Sequence, residues 1–275
     1  MCDETSSSTL DQAPKQRALT GVTFGQATHT GQRRAQNEDH HDAAPDLGVF
    51  VVADGVGGAP AGATASRLAT ASMLYSLRAA GPLQSAQDEP ARQPLATDRI
   101  EGPRLIAAAY AAHQTIQRFA VKHGCSGAAT TMAALWIKGG HFHAANTGDS
   151  RVYRLTAGVL ERLSRDHTPF EEYCRVMGPP PAELARRMEN VVTQVLGGKS
   201  PRMPEVHLVS RPLVAREVFL LCTDGLTKMV SEENIAAVLS LAVSPQHAAA
   251  VLVEMANAAG GLDNITCIVV HAEPD

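Results

Sequence analysis

At 275 residues, with 44% hydrophobic and 19% charged positions, the chain can bury a sizeable core and is not a wholly disordered polymer. A formal net charge of −4 offers no nucleic-acid or anionic-membrane surface. No apolar run reaches the ~18 residues of a membrane helix, and Met1-Cys2-Asp3-Glu4 lacks a signal-peptide start, so the expected location is the cytoplasm. Residues 1–18, with Ser6-Ser7-Ser8 and few apolar positions, read as a flexible tail ahead of a single domain over 19–275. Residues 47–53 (LGVFVVA) form a nearly continuous apolar run of strand length. Residues 61–80 and 103–123 carry helical patterns, the second with Leu105, Ala109, Ala112, Ile116 and Phe119 at one-face spacing. Between them lies a polar, proline-containing loop over 81–102. Strand candidates follow at 131–137, 141–145, 151–155, 190–195 and 205–209, interrupted by an irregular excursion over 170–190 holding one short helix. A further strand at 218–222 precedes helices at 231–241 and 245–258, and a β-branched run at 264–271 closes the chain.

This order is not the βαβα alternation of a parallel sheet. Strands apolar on both faces, with few residues left for crossovers, predict an α+β fold with four layers, α-β-β-α, in one domain. Five scattered cysteines, none in a C-x-x-C pair, indicate neither a disulfide framework nor a zinc site. Trp136 and Phe142 are expected in the core, and His141-x-His143 is expected to be a strand face rather than a metal site.

The acidic residues fall at strand ends. Asp54-Gly55 follows LGVFVVA, Asp224-Gly225 follows VFLLCT, Asp149 closes the run from His141, Asp263 opens the last strand, and Asn37-Glu38-Asp39 sits between early strand candidates. Any one Asp-Gly is an ordinary turn signal. Five such sites meeting at one edge of a sandwich would repel one another and resist desolvation unless cations neutralised them. Oxygen-only ligands select Mg²⁺ or Mn²⁺ over Zn²⁺. Gly55, lacking a side chain, would let its carbonyl approach an ion. Two ions about 3.5–4 Å apart can lower the pKa of a shared water towards ~7, which suits phosphoester hydrolysis.

The set Arg34-x-x-Asn37-Glu38-Asp39, Val52-Ala53-Asp54-Gly55-Val56-Gly57-Gly58, Asn146-Thr147-Gly148-Asp149-Ser150-Arg151, Asp166-His167-Thr168, Cys222-Thr223-Asp224-Gly225-Leu226 and Asp263-Asn264-Ile265-Thr266 resembles the PPM, or type 2C, metal-dependent serine/threonine phosphatases, bacterial members in particular. The resemblance runs from about Thr20 to Val270. It implies two mostly antiparallel sheets flanked by helix pairs, and hydrolysis of phosphoserine and phosphothreonine by a metal-bridging water. It implies Asp54 as the carboxylate shared by two Mn²⁺ or Mg²⁺ ions, the Gly55 carbonyl as a further ligand, Asp224 and Asp263 as first-metal ligands, and Glu38 or Asp39 as the acid near the second. Asp149 matches a residue that helps hold a third, weaker ion, and Arg34 matches the phosphate-binding arginine, with Arg33 the competing candidate. Asn264 is expected to buttress the ligand loop. Expected partners are phosphorylated proteins and a Ser/Thr kinase, with no nucleic acid or membrane, and the chain is read as a monomer.

The pattern breaks where relatives carry a histidine proposed as general acid, because Val56 and Ala59 occupy those two places. His40 and His41 are the nearby substitutes, Gly-Thr-Thr becomes Ala129-Thr130-Thr131, and the 170–190 excursion matches the family's flap. The missing donor leaves two alternatives, a phosphoprotein- or kinase-binding pseudophosphatase and a hydrolase of small phosphate esters.

Overall fold

The computed structural model describes residues 21–56, 61–79, 100–188, 191–214 and 216–274. The expected tail over 1–18 and residues 81–99 of the expected 81–102 loop lie outside the described residues, as does Ala59, while the end of that loop, from Glu101, already belongs to a helix.

The strands are β1 (Val22–His29), β2 (Asp39–Ala44), β3 (Val49–Asp54), β4 (Ala129–Thr130), β5 (Met132–Lys138), β6 (His141–Thr147), β7 (Arg151–Thr156), β8 (Val159–Arg162), β9 (Leu196–Gly197), β10 (His207–Pro212), β11 (Glu217–Cys222) and β12 (Ile265–Ala272). The helices are α1 (Gly62–Ala79), α2 (Glu101–His123), α3 (Pro169–Met177), α4 (Ala182–Met188), α5 (Asp224–Thr227), α6 (Glu232–Leu241) and α7 (Pro245–Ala258). One five-stranded sheet runs β1-β12-β11-β7-β8, the other β10-β6-β5-β3-β2, and every pairing within them is antiparallel.

The continuous apolar strands are explained by burial on both faces. Side chains alternate sides along a strand. On β3, Val49, Val51 and Ala53 pack towards α1 and α2, while Phe50 and Val52 face the other sheet. On β12, Cys267 and Val269 meet α6 and α7, while Ile268 and Val270 return the contact from β3. Three apolar layers therefore separate the four layers of backbone, as the pattern predicted. Trp136 and Phe142 lie inside, at 3% and 0% exposure.

Helix ends follow their signals. Ser231 accepts the Asn234 N–H and Ser244 the His247 N–H. Gly124 closes α2 at φ +67°, a conformation that suits glycine. Three expectations shift. The 190–195 strand is absent among its described residues: Thr193 directs both its N–H and its hydroxyl at the His167 carbonyl, so the segment is tied to a loop instead of a ladder. The 205–209 strand becomes β10, displaced by its pairing with β6, where His207 faces Asn146 and Pro212 faces His141. The 170–190 excursion holds two short helices, broken by Gly178 and the proline run. Strands β1 and β8 show no continuous apolar run, because much of each lies exposed or half-buried.

Candidate active site

Antiparallel pairing brings the acids to one edge. Asp54 ends β3, and its register partner Asp39 starts β2. β6 runs in the same direction as β3, since both pair antiparallel with β5, so Asp149 just beyond β6 emerges at the same edge. In the other sheet, β11 ends beside the start of β12, Cys222 opposite Cys267, which sets Asp224 near Asp263. Thr223 spans the two sheets by donating its hydroxyl to Asp39 Oδ2 at 2.8 Å.

A cleft of about 200 Å³ opens there, lined by Arg34, Glu38, Asp54, Gly55, Asp149, Asp224, Asp263 and Asn264 together with Val56, Thr131, Val192 and Lys228. Of the two early acids, Glu38 faces the cleft, whereas Asp39 is buried behind it. Arg34 lines the cleft and donates to Asp263 Oδ2 at 2.8 Å, and Arg33 does not line it. Asn264 buttresses as expected: its Oδ1 accepts the Glu38 N–H, and its Nδ2 donates to the carbonyls of Thr30 and Gln36. His40 and His41 do not line the cleft, so neither stands in for the missing histidine, and Val56 is the residue at its wall. His143 bonds Ser210 inside the protein, and His141 lies at the strand end beside the Gly139 carbonyl.

The glycines answer to packing. A Cβ on Gly55 would lie 2.5 Å from the Gly62 backbone and 2.7 Å from the Glu38 carbonyl, so glycine lets the start of α1 close over β3. A Cβ on Gly225 would lie 1.9 Å from the Asn264 carbonyl, so that glycine permits the Asp224 and Asp263 loops to touch. The Asp166-His167-Thr168 motif supports the Asp149 loop. His167 Nδ1 accepts the Gly148 N–H, Asp166 takes both Nε and Nη2 of Arg151, and Thr168 caps α3.

Electrostatically the site is strained. Burial raises the Asp54 carboxyl well above the usual carboxylate range, and repulsion from Asp39, Asp224, Asp149 and Asp263 adds to it. Burial, with repulsion from Asp224, pushes Asp149 up to about 7. Burial pushes Asp39 to about 7 despite its bond from Thr223. Among the described residues, Asp39 Oδ1 and Asp224 Oδ1 are buried without a hydrogen-bond partner. Such oxygens are costly unless a cation meets them.

Lys228 was not foreseen. It lies one turn after Asp224, donates to Asp224 Oδ2, and feels Asp149 and Asp263 as well. Its signal in the sequence is the four-residue spacing from Asp224, which becomes an i,i+4 neighbour only because a helical turn starts there. The all-oxygen donor set fits hard divalent cations. Among the described residues, no three acidic, histidine or cysteine side chains converge on one ion-sized point, and Asp263 and Asp224 are engaged by Arg34 and Lys228.

A family model described as Protein phosphatase 2C matches residues 27–258. Protein phosphatase PhpP of Streptococcus pneumoniae is 29% identical over 249 residues, covering 88% of this chain and 94% of that protein. The solved structure of the Mycobacterium tuberculosis serine/threonine phosphatase PstP/Ppp superposes with a TM-score of 0.77 at 28% identity, over 92% of this chain and 99% of that one. A structure of the catalytic domain of the serine threonine protein phosphatase PstP in complex with two manganese ions gives 0.74 at 27% identity, over 92% and 99%.

Proposed function

The chain belongs to the protein phosphatase 2C family and is a metal-dependent phosphoprotein phosphatase, and we propose that the acidic cleft is its catalytic centre. The observation that carries this reading is one cleft in which Glu38, Asp54, Asp149, Asp224 and Asp263 from both sheets meet Arg34. Residues 19–275 act as the catalytic domain, on phosphoserine and phosphothreonine placed by a Ser/Thr kinase.

Two Mn²⁺ or Mg²⁺ ions would be held by Asp54, Asp224, Asp263, Glu38 and the Gly55 carbonyl, with Asp39 behind and Asp149 available to a third. The unpartnered oxygen of Asp224 and the raised Asp54 and Asp149 carboxyls support that assignment. When bound, such ions supply charge that offsets the carboxylates, activates water at neutral pH and stabilises the phosphoryl oxygens. Arg34 grips phosphate oxygens with a guanidinium whose side chain is 45% exposed and so open to the substrate. Asn264 holds the Glu38 backbone in place while charge moves. Val56, at the wall, donates no proton to the departing serine or threonine oxygen.

The test is turnover of a phosphothreonine peptide with Mn²⁺. Activity lost with EDTA, and reduced at least about 10³-fold in Asp54→Ala, is the expected result. Binding without turnover would make the chain a phosphoprotein-binding pseudophosphatase, and turnover of free nucleotides alone would make it a small-ester hydrolase.

A further inference from the structure

Beside the acidic cleft lies a second depression of about 440 Å³, within the range of about 300–1,000 Å³ typical of ligand pockets. Its walls are unlike those of the cleft. Phe170 of α3, Met188 of α4, Met229 and Leu262 give it an apolar lining, and Phe170 and Leu262 are 37% and 55% exposed. The charged pair on its polar side is satisfied internally, because Arg151 and Asp166 hold each other at 2.6 Å. The two depressions are continuous: Asp149, Asp224 and Lys228 border both.

This continuity selects the occupant. A phosphorylated residue seated in the cleft carries the rest of its peptide, at about 3.3–3.6 Å per extended residue, across the shared border. Beyond that border the surface it meets offers the apolar side chains of Phe170, Met188, Met229 and Leu262. We propose that the groove is a specificity subsite that takes an apolar side chain flanking the phosphorylated residue, with Phe170 and Met188 as its walls. The inference rests on the phosphoprotein phosphatase reading and names the peptide class it acts on.

Helices α3 and α4 bury no side chain of their own. Phe170 and Met188 are therefore not needed for the core, and their replacement is compatible with folding. Contacts made equally in the bound and transition states lower KM and leave kcat nearly unchanged.

The experiment uses the full chain with Mn²⁺ and a set of phosphothreonine peptides of glycine and serine. One leucine is moved in turn through the three positions on each side of the phosphothreonine. One placement is expected to raise kcat/KM about tenfold, through KM, a size typical of one apolar group in a pocket. Aspartate or lysine at that placement is expected to give no gain. Phe170→Ser and Met188→Ser should bring the ratio of leucine to glycine peptide back towards one, while Phe170→Leu keeps it. A ratio near one at every placement overturns the subsite, as does a ratio unchanged in both serine variants. Cleavage of phenyl phosphate without cleavage of any peptide overturns the phosphoprotein reading itself and the subsite with it.

Discussion

At Val56 a side chain that cannot donate a proton lines the cleft, and this has a kinetic consequence. A serine or threonine oxygen leaves as a poor alkoxide, whereas a phenolate needs little protonation, so the chain should favour aryl phosphates strongly over phosphoserine. Val56→His should narrow that preference by roughly tenfold, a modest share of the ~10²–10⁴ a well-placed general acid supplies. Parallel kcat/KM measurements on phenyl phosphate and a phosphoserine peptide decide it, and an unchanged ratio refutes the role given to Val56. A second residue-scale prediction concerns His113, buried on α2, whose Nδ1 accepts the Gly197 N–H at 3.0 Å. Burial lowers its pKa from the usual 6.5, so as pH falls the unfolded chain takes up this proton before the folded protein does. Its stabilising contribution is complete above about pH 6.5 and is lost as pH falls through the folded value. Urea unfolding of the native chain and His113→Asn between pH 5 and 7.5 should show a steeper loss of stability on the acid side for the native chain.

Among the elements, the turn after β11 carries most of the site's geometry. Asp224 lies two residues beyond the buried strand β11 and is the first residue of α5, so one helical turn brings Lys228 back over it. Gly225 lets that turn lie against the Asp263-Asn264 loop. Gly225→Ala should cost about 1–3 kcal/mol through overpacking and weaken Mn²⁺ binding, because the added Cβ pushes the Asp224 turn away from the Asp263-Asn264 loop. Urea unfolding and calorimetric titration of Mn²⁺ measure the two effects, and native metal affinity in a destabilised variant would argue against the loop apposition. Helices α3 and α4 show the opposite behaviour: Thr168 caps α3 and the Arg162–Glu171 pair ties it to β8, yet neither helix contributes to the core. Phe170, Tyr173, Cys174 and Met177 do share one face of α3, but the segment is only nine residues long and buries none of them, and α4 beyond the proline run is shorter still.

For the whole molecule, the acidic edge is a liability that folding creates, since the unfolded chain keeps these acids apart. Divalent ions should therefore stabilise the folded state by mass action, about 2.7 kcal/mol at a hundredfold excess over Kd. The melting temperature should rise by about 5 °C or more with Mn²⁺ at neutral pH, on the scale of about 2–4 °C per kcal/mol for a large domain. Asp54→Ala should lose most of that rise. An equal rise in the variant would place the ions elsewhere. Among the described residues, no helix is long and apolar enough to cross a membrane.

The sequence by itself determined the layers and the cast of the site. Apolar runs such as Val49 to Ala53 without polar alternation mean burial on both faces, and acids directly after such runs mark a charged edge. These are local signals, readable from neighbours in the chain. Only the tertiary structure decided that Glu38 faces the cleft while Asp39 lies behind it, that Lys228 joins the acids, and that 191–195 is looped across the Val192 side of the site. Each of those outcomes depends on register between residues far apart, Asp39 against Asp54, Thr193 against His167, the Gly225 turn against Asn264. A one-residue slip would turn every side chain to the other face, and nothing in the local pattern records which register wins.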